Sequence, residues 1–230
     1  TIVISSADAT GSTASELNII DAATSVSVDA GAITVIEGTF DTIKTLYSST
    51  GVTGLGNEAI TVSDTGSIAA STLLTVAQAN SSGTVDASNA GTITGTAEQI
   101  INSYADSTIT EASNVALTVN SGTASLTQAR SLDSLTTGVV TATIADTRVS
   151  DLLGSAPLLD ANSNNAFTIT IGTDDAEITA ANLNSLNALT TVENGIVATN
   201  VTQITGTVAA TITTYTAGEN SEISGLGNEA

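Results

Sequence analysis

Ile36-Glu37-Gly38-Thr39 returns as Ile93-Thr94-Gly95-Thr96, as Ile144-Ala145-Asp146-Thr147 and as Ile204-Thr205-Gly206-Thr207, at nearly even intervals. At one fixed distance after three of those threonines stand Tyr47, Tyr104 and Tyr215, the only tyrosines in the chain; the third copy has Ser155 there. Chance does not place every tyrosine in one register. The chain therefore reads as a single array of four imperfect repeats, about 1–59, 60–116, 117–166 and 167–230.

Two further rows keep the same beat. Apolar residues at helical spacing recur as Ala14/Leu17/Ile20, Ala70/Leu73/Val76, Leu126/Ala129/Leu132 and Ala180/Leu183/Leu186. A third row precedes a strand: Asn57-Glu58-Ala59-Ile60, Asn114-Val115-Ala116-Leu117, Asn164-Asn165-Ala166-Phe167 and, at the end, Asn228-Glu229-Ala230. Thr1-Ile2-Val3-Ile4 reads as the strand that such a row introduces, so the chain begins and ends in one phase. Gly54-Leu55-Gly56-Asn57-Glu58-Ala59 also recurs word for word at 225–230. The expectation is a window on a longer array, or a unit that joins head to tail; the absent initiator Met points to an interior or processed segment.

Short β-branched runs such as Ile60-Thr61-Val62-Ser63, Leu117-Thr118-Val119 and Phe167-Thr168-Ile169-Thr170 predict strands. Thr39 and Thr96 stand where helix N-caps belong, and Glu98 suits the positive end of the helix dipole. Ile43, Leu46 and Tyr47, like Ile100, Ile101 and Tyr104, then give one buried helical stripe. Helices this short are marginal alone and must be held by neighbours. The predicted fold is an α/β solenoid of about eight short strand–helix coils, two to a repeat, with stacked parallel strands. The alternative is an all-β parallel helix in which the apolar triplets are bent strands.

Composition narrows the function. Of 230 residues, 23 are acidic, three are basic and none is histidine, which leaves no basic surface for nucleic acid. The acidic surface keeps a Thr/Ser-rich chain soluble. Aromatics make up 2%, so the core is built of small aliphatic side chains suited to thin layers. Without Cys, Met, Trp or His there is no disulfide frame, no thiol chemistry and no usual zinc site. No run suits a membrane span or a signal peptide.

Candidate chemistry is sparse. Asp174-Asp175 with Glu177 lies in a polar Gly-Thr-Asp-Asp turn and reads as a solvated loop, not an acid–base pair. No nucleophile–base pair is visible, so no enzyme is expected. Calcium is the one candidate ion, with Asp29, Asp86, Asp64 and Asp8 near strand ends and the first two at equivalent repeat positions. The calcium nonapeptide of β-rolls and the EF-hand loop are both missing. Thr-x-Thr pieces such as 141–143 and 168–170 do not keep the single register that ice binding needs. The tyrosine row reads as core filler with hydroxyls reaching outward rather than a glycan strip.

The stretches Ala14 to Ser25, Gly54 to Ala59 and Val85-Asp86-Ala87-Ser88 resemble repeats of giant Thr/Ala/Ser-rich surface proteins of cyanobacteria and other marine bacteria, described as adhesin-like or haemolysin-type. The resemblance covers nearly the whole chain and is weakest in the third copy. It implies an extracellular or cell-surface location and structural or adhesive work, with no catalytic residues to carry over. The expected function is a structural module that forms a rod, fibre or surface layer by end-to-end contact with its own kind. An adhesin segment that binds calcium, glycan or ice is the alternative.

Overall fold

The computed structural model describes residues 1–5, 12–154, 165–227 and 229. It is an α/β fold of mostly parallel strands in several sheets, none closed into a barrel, with eight helices among the described residues. The chain divides into two compact units, Thr1–Gly95 with Gln99–Val115, and Thr96–Glu98 with Ala116–Ala230. The main division falls where the second repeat gives way to the third.

The first unit contains β1 (Ile2–Val3), β2 (Ser12–Thr13), α1 (Ala14–Ala23), β3 (Val28–Asp29), β4 (Val35–Gly38), α2 (Phe40–Ser48) and β5 (Val52–Thr53). It continues with β6 (Ala59–Val62), β7 (Ser67–Ala69), α3 (Ala70–Ala79), β8 (Thr84–Asp86), β9 (Thr92–Gly95), α4 (Ala97–Ala105) and β10 (Ile109–Thr110). Every pairing is parallel, and each strand meets one that follows it by an almost constant length of chain: Ile2 beside Val28, Val28 beside Val52, Ile36 beside Ile60, Ser67 beside Thr92. One ladder runs β1-β3-β5, a second β2-β4-β6-β8-β10, and β7 pairs with β9.

Helix placement follows from a mismatch of spacings. Paired strands lie about 4.8 Å apart, whereas packed helices need about 8–10 Å. A helix added on one flank with every strand would splay that flank. Here α1 and α2 run from β2 and β4 to β3 and β5, whereas α3 and α4 run from β7 and β9 to β8 and β10. The step comes from β6, which is followed by β7 with no helix between them. After two helices the helical flank has moved to the next side.

The second unit contains β11 (Ala116–Val119), α5 (Leu126–Leu135), β12 (Val140–Thr147), α6 (Val149–Leu152), β13 (Ala166–Ile171) and β14 (Glu177–Thr179). It ends with α7 (Ala180–Asn187), β15 (Ile196–Val197), β16 (Gln203–Thr205), α8 (Val208–Glu219) and β17 (Ile223–Ser224). Strands β11, β12, β13, β15 and β17 are neighbours in that order, and β14 pairs with β16, all parallel.

The apolar triplets lie on helices: α1, α3, α5 and α7 each start on the first triplet member, Ala14, Ala70, Leu126 and Ala180. The all-β alternative is thereby overturned. N-caps explain the sharp starts. Thr13 and Ser125 form reciprocal capping boxes with Glu16 and Gln128, and Thr39, Thr179 and Thr207 each accept an amide proton of the first turn. The glycine of the first row has a packing reason. A β-carbon on Gly38 would lie 3.2 Å from that of Ala14 and one on Gly206 3.2 Å from that of Ala180, both tight, whereas one on Gly95 would make ordinary contact with Ala70 at 3.5 Å. Small meets small where a strand crosses the start of the helix half a repeat before it.

The core is aliphatic. Ile36, Ile43, Leu46, Ile60, Leu73, Ile93 and Ile100 are fully buried in the first unit, as are Leu117, Leu132 and Phe167 in the second.

Candidate functional site

Each described aspartate singled out as a cation candidate serves the backbone. Asp29 accepts from the amide of Gly31 at 3.0 Å and Asp86 from that of Ser88 at 2.9 Å, so the two equivalent residues make the same tight turn. Asp64 accepts from the amide of Phe40 at 2.6 Å and thus caps α2 from the segment that follows β6. Asp175 does the same for α6, accepting from Val149 at 2.9 Å, while Asp174 meets Arg148 at 3.1 Å on the surface. Asp8 lies outside the described residues. No group of three or more acidic, histidine or cysteine residues that could hold a metal ion occurs among the described residues.

Capping from a following segment ties neighbouring turns of chain together. Asp64→Ala should lower stability by about 1–2 kcal/mol, the value of a lost cap, read as a shift in the urea midpoint. Asp64→Asn should recover most of it.

The row residues are placed as follows. Ile36, Ile93 and Ile144 are buried, and Ile204 is half-buried. Thr39 and Thr207 cap helices, Thr96 directly precedes α4, and Thr147 ends β12, where Arg148 occupies the cap position without a side-chain bond. Ser155, Asn164, Asn228 and Ala230 lie outside the described residues.

Each of the three tyrosines is set against a glutamate, but in different surroundings: Tyr47 and Tyr215 donate to theirs, whereas the Tyr104 hydroxyl and Glu111 Oε1 are buried without a hydrogen-bond partner. The best-formed case is Tyr47, on the last turn of α2, which donates to Glu58 Oε2 at 2.7 Å. Glu58 is fully buried. Its carboxylate also accepts from the amides of Gly56 at 2.9 Å and Asn57 at 3.1 Å. Gly54 and Gly56, at φ +86° and +140°, curl the chain so that these amides point back at the acid. Asn80, the buried C-cap of α3, completes the cluster. Its Oδ1 accepts from the Glu58 amide at 3.2 Å and lies 3.1 Å from the Tyr47 hydroxyl, and its Nδ2 donates to the Glu58 carbonyl at 2.8 Å. Because Asn80 comes from the following repeat, the cluster is a latch between consecutive repeats. Sequence reasoning saw the tyrosines but missed Glu58 and Asn80; the exact recurrence of the six-letter word was the signal for Glu58.

Burial and the Glu58 charge push the Tyr47 hydroxyl well above its usual range. Tyr104 is raised by burial and by Glu111, whose own acid is raised chiefly by burial. A phenol whose folded pKa exceeds its unfolded value contributes stability below the unfolded value of about 10, and that stability is lost as pH climbs beyond it. The melting temperature should therefore fall more steeply above about pH 10 in the native protein than in Tyr47→Phe. Equal slopes would remove Tyr47 from the account.

The C-terminal word makes only half of this latch. Gly225 and Gly227 repeat the left-handed backbone, at φ +81° and +105°. Tyr215 donates to Glu229 Oε2 at 3.0 Å and the Gly227 amide does so at 2.7 Å. Glu229 Oε1 is buried without a hydrogen-bond partner, and Tyr215 is 38% exposed. No side chain plays the part of Asn80 among the described residues.

Of the large exposed apolar side chains among the described residues, Ile2, Val3, Ile19 and Val26 belong to the segment from β1 to just past α1, Val208, Ile212 and Tyr215 to α8, and Val139 stands just before β12. An open groove lined by Ile4, Ser12, Glu16, Leu17, Ile19 and Ile20 marks the first of these segments. Another, lined in part by Tyr215, Gly218, Ile223 and Leu226, marks α8.

Comparison with protein-family models, with curated proteins and with solved structures finds no match to this chain. No helix among the described residues is long and apolar enough to cross a membrane.

Proposed function

We propose that the chain is a structural repeat module of an extracellular or cell-surface rod, extended by end-to-end stacking of like repeats. The observation that carries this reading is the register: in both units each paired strand lies parallel to one that follows it by about half a repeat, as Ile2 with Val28, Ile60 with Val85, Leu117 with Val140 and Ile169 with Ile196. This register supports an α/β solenoid, in which strand-and-helix coils would follow one another along an axis, each stabilised by its neighbours. The acidic and amide side chains serve those neighbour contacts: Asp64 and Asp175 as caps, Glu58 and Asn80 as a latch. The resemblance to giant repeat-bearing bacterial surface proteins supports the location and the structural role.

Electron microscopy of the concentrated protein tests this reading. Straight particles one chain wide, with an axial repeat of roughly 40 Å for some eight coils at about 4.8 Å each, are expected. They should persist, with unchanged melting temperature, when EDTA is added. Melting by chelator would replace the structural rod with the calcium-dependent adhesin.

A further inference from the structure

We propose that the turn at Asn194 and Gly195 is a site of covalent modification, where the chain loses ammonia and comes to carry isoaspartate in place of Asn194 once the turn has opened. Of all the asparagines in the chain, Asn194 alone is followed by glycine. Glycine has no β-carbon, so it shields its own backbone nitrogen least and leaves the chain around it freest to rotate. Asn194 is exposed, so water reaches its side-chain amide. The strand that follows, β15, is paired on both sides, with β13 and with β17, so the turn stands within its ladder and not at the ladder's edge.

Packing selects both members of the pair. Asn194 has φ +54°, in the left-handed region that asparagine visits more readily than most residues. Gly195 is buried, and a β-carbon there would lie 2.5 Å from Thr190 Cγ2 and 2.9 Å from the Val192 carbonyl oxygen, so only glycine fits. Thr190 ties the turn to β13: its hydroxyl donates to the Phe167 carbonyl at 2.6 Å and accepts from the Val192 amide at 3.3 Å. The geometry that closes this turn therefore puts an exposed amide next to an unshielded nitrogen.

The reaction needs only water. The Gly195 nitrogen attacks Asn194 Cγ; a C–N bond forms there as the Cγ–Nδ2 bond breaks, and ammonia leaves with the proton that Gly195 gives up. Water then opens the cyclic imide at one of its two carbonyls. Opening at Cγ leaves aspartate, and opening at the main-chain carbonyl leaves isoaspartate, with one more carbon in the backbone. In the folded chain the attack is blocked. In the left-handed well ψ is about +30 to +60°, which points the Gly195 nitrogen away from the side chain. That nitrogen donates to the Val192 carbonyl at 3.0 Å, and the Gly195 carbonyl accepts from the Ile169 amide at 2.7 Å. Both bonds must break before the nitrogen can swing round, so the rate follows local opening of the turn. The added carbon then displaces β15 from its register, and the opening is recorded permanently.

Peptide mass spectrometry of the full chain tests the proposal, after storage in warm, mildly alkaline buffer with and without urea and digestion in acid. In urea, Asn194 should exchange its amide for an acid at least tenfold faster than any other asparagine, with isoaspartate the main product. Without urea, conversion at the same site should slow at least tenfold. The isoaspartyl chain, returned to buffer, should melt below both the native chain and Asn194→Asp, which gains the charge without the extra backbone carbon. Another asparagine that converts first in urea, equal rates at Asn194 with and without urea, or an isoaspartyl chain that melts together with Asn194→Asp would each overturn it.

Discussion

Glu58→Ala lowers the melting temperature by roughly 10 °C, whereas Glu229→Ala, in the identical six-letter word, changes it by no more than about 2 °C. The difference comes from burial and partners. Glu58 is fully enclosed and accepts from two backbone amides and the Tyr47 hydroxyl. Removing the carboxylate leaves those donors buried and unpaired, at about 1–3 kcal/mol for each that finds no water, or about 3–5 kcal/mol in all. Glu229 has two donors on a part-exposed terminal face, and its loss lets water in. Glu58→Gln should fall between, since the amide keeps one accepting oxygen. Differential scanning calorimetry of the three variants measures all of this, and equal shifts for Glu58→Ala and Glu229→Ala would show that the latch does not depend on a following repeat.

Phe167→Ala is expected to cost about 3–5 kcal/mol, the largest effect of any single core truncation. In a chain with two phenylalanines and no tryptophan, this ring is the largest fully buried side chain. Phe167 pairs in register with Ala142 on β12, so a large side chain is set beside a small one. Truncation leaves alanine beside alanine, with few large neighbours able to collapse into the gap. Ile204→Ala, at a row position only half-buried, should cost about 1 kcal/mol. Urea titration separates the two, and comparable losses would mean that the core does not depend on Phe167.

The repeat was legible because its rows have physical causes that act one residue at a time. Thr39 and Thr207 cap helices, each triplet starts on the first residue of a helix, and Gly38 and Gly206 sit where a β-carbon would crowd an alanine. The six-letter word was visible too, and its two glycines adopt the same left-handed turn at both places. What stayed hidden depends on pairs of residues far apart in the chain. Asn80 looks like an ordinary helix end until it is seen against Glu58, and Asp64 looks like a loop acid until it is seen on the amide of Phe40. The move of the helical flank after α2 was equally hidden. It arises because β6 is followed by another strand, and strand and helix lengths alone do not say which ladder a strand will join. The third repeat departs most: α6 is a single short turn, and the row residues Ile144 to Thr147 lie within the long strand β12.

The proposed layering along one axis is tested most directly by spin-label distances measured from Val3 to positions one, two, four and eight coils away. The chain has no cysteine, so each pair can be introduced cleanly. The account predicts a straight-line rise of about 4.8 Å per coil, reaching roughly 40 Å at Ser224. Distances that level off within a few coils near about 24 Å, the typical separation of two residues in a compact globule of this length with a radius of gyration of roughly 17 Å, would contradict it.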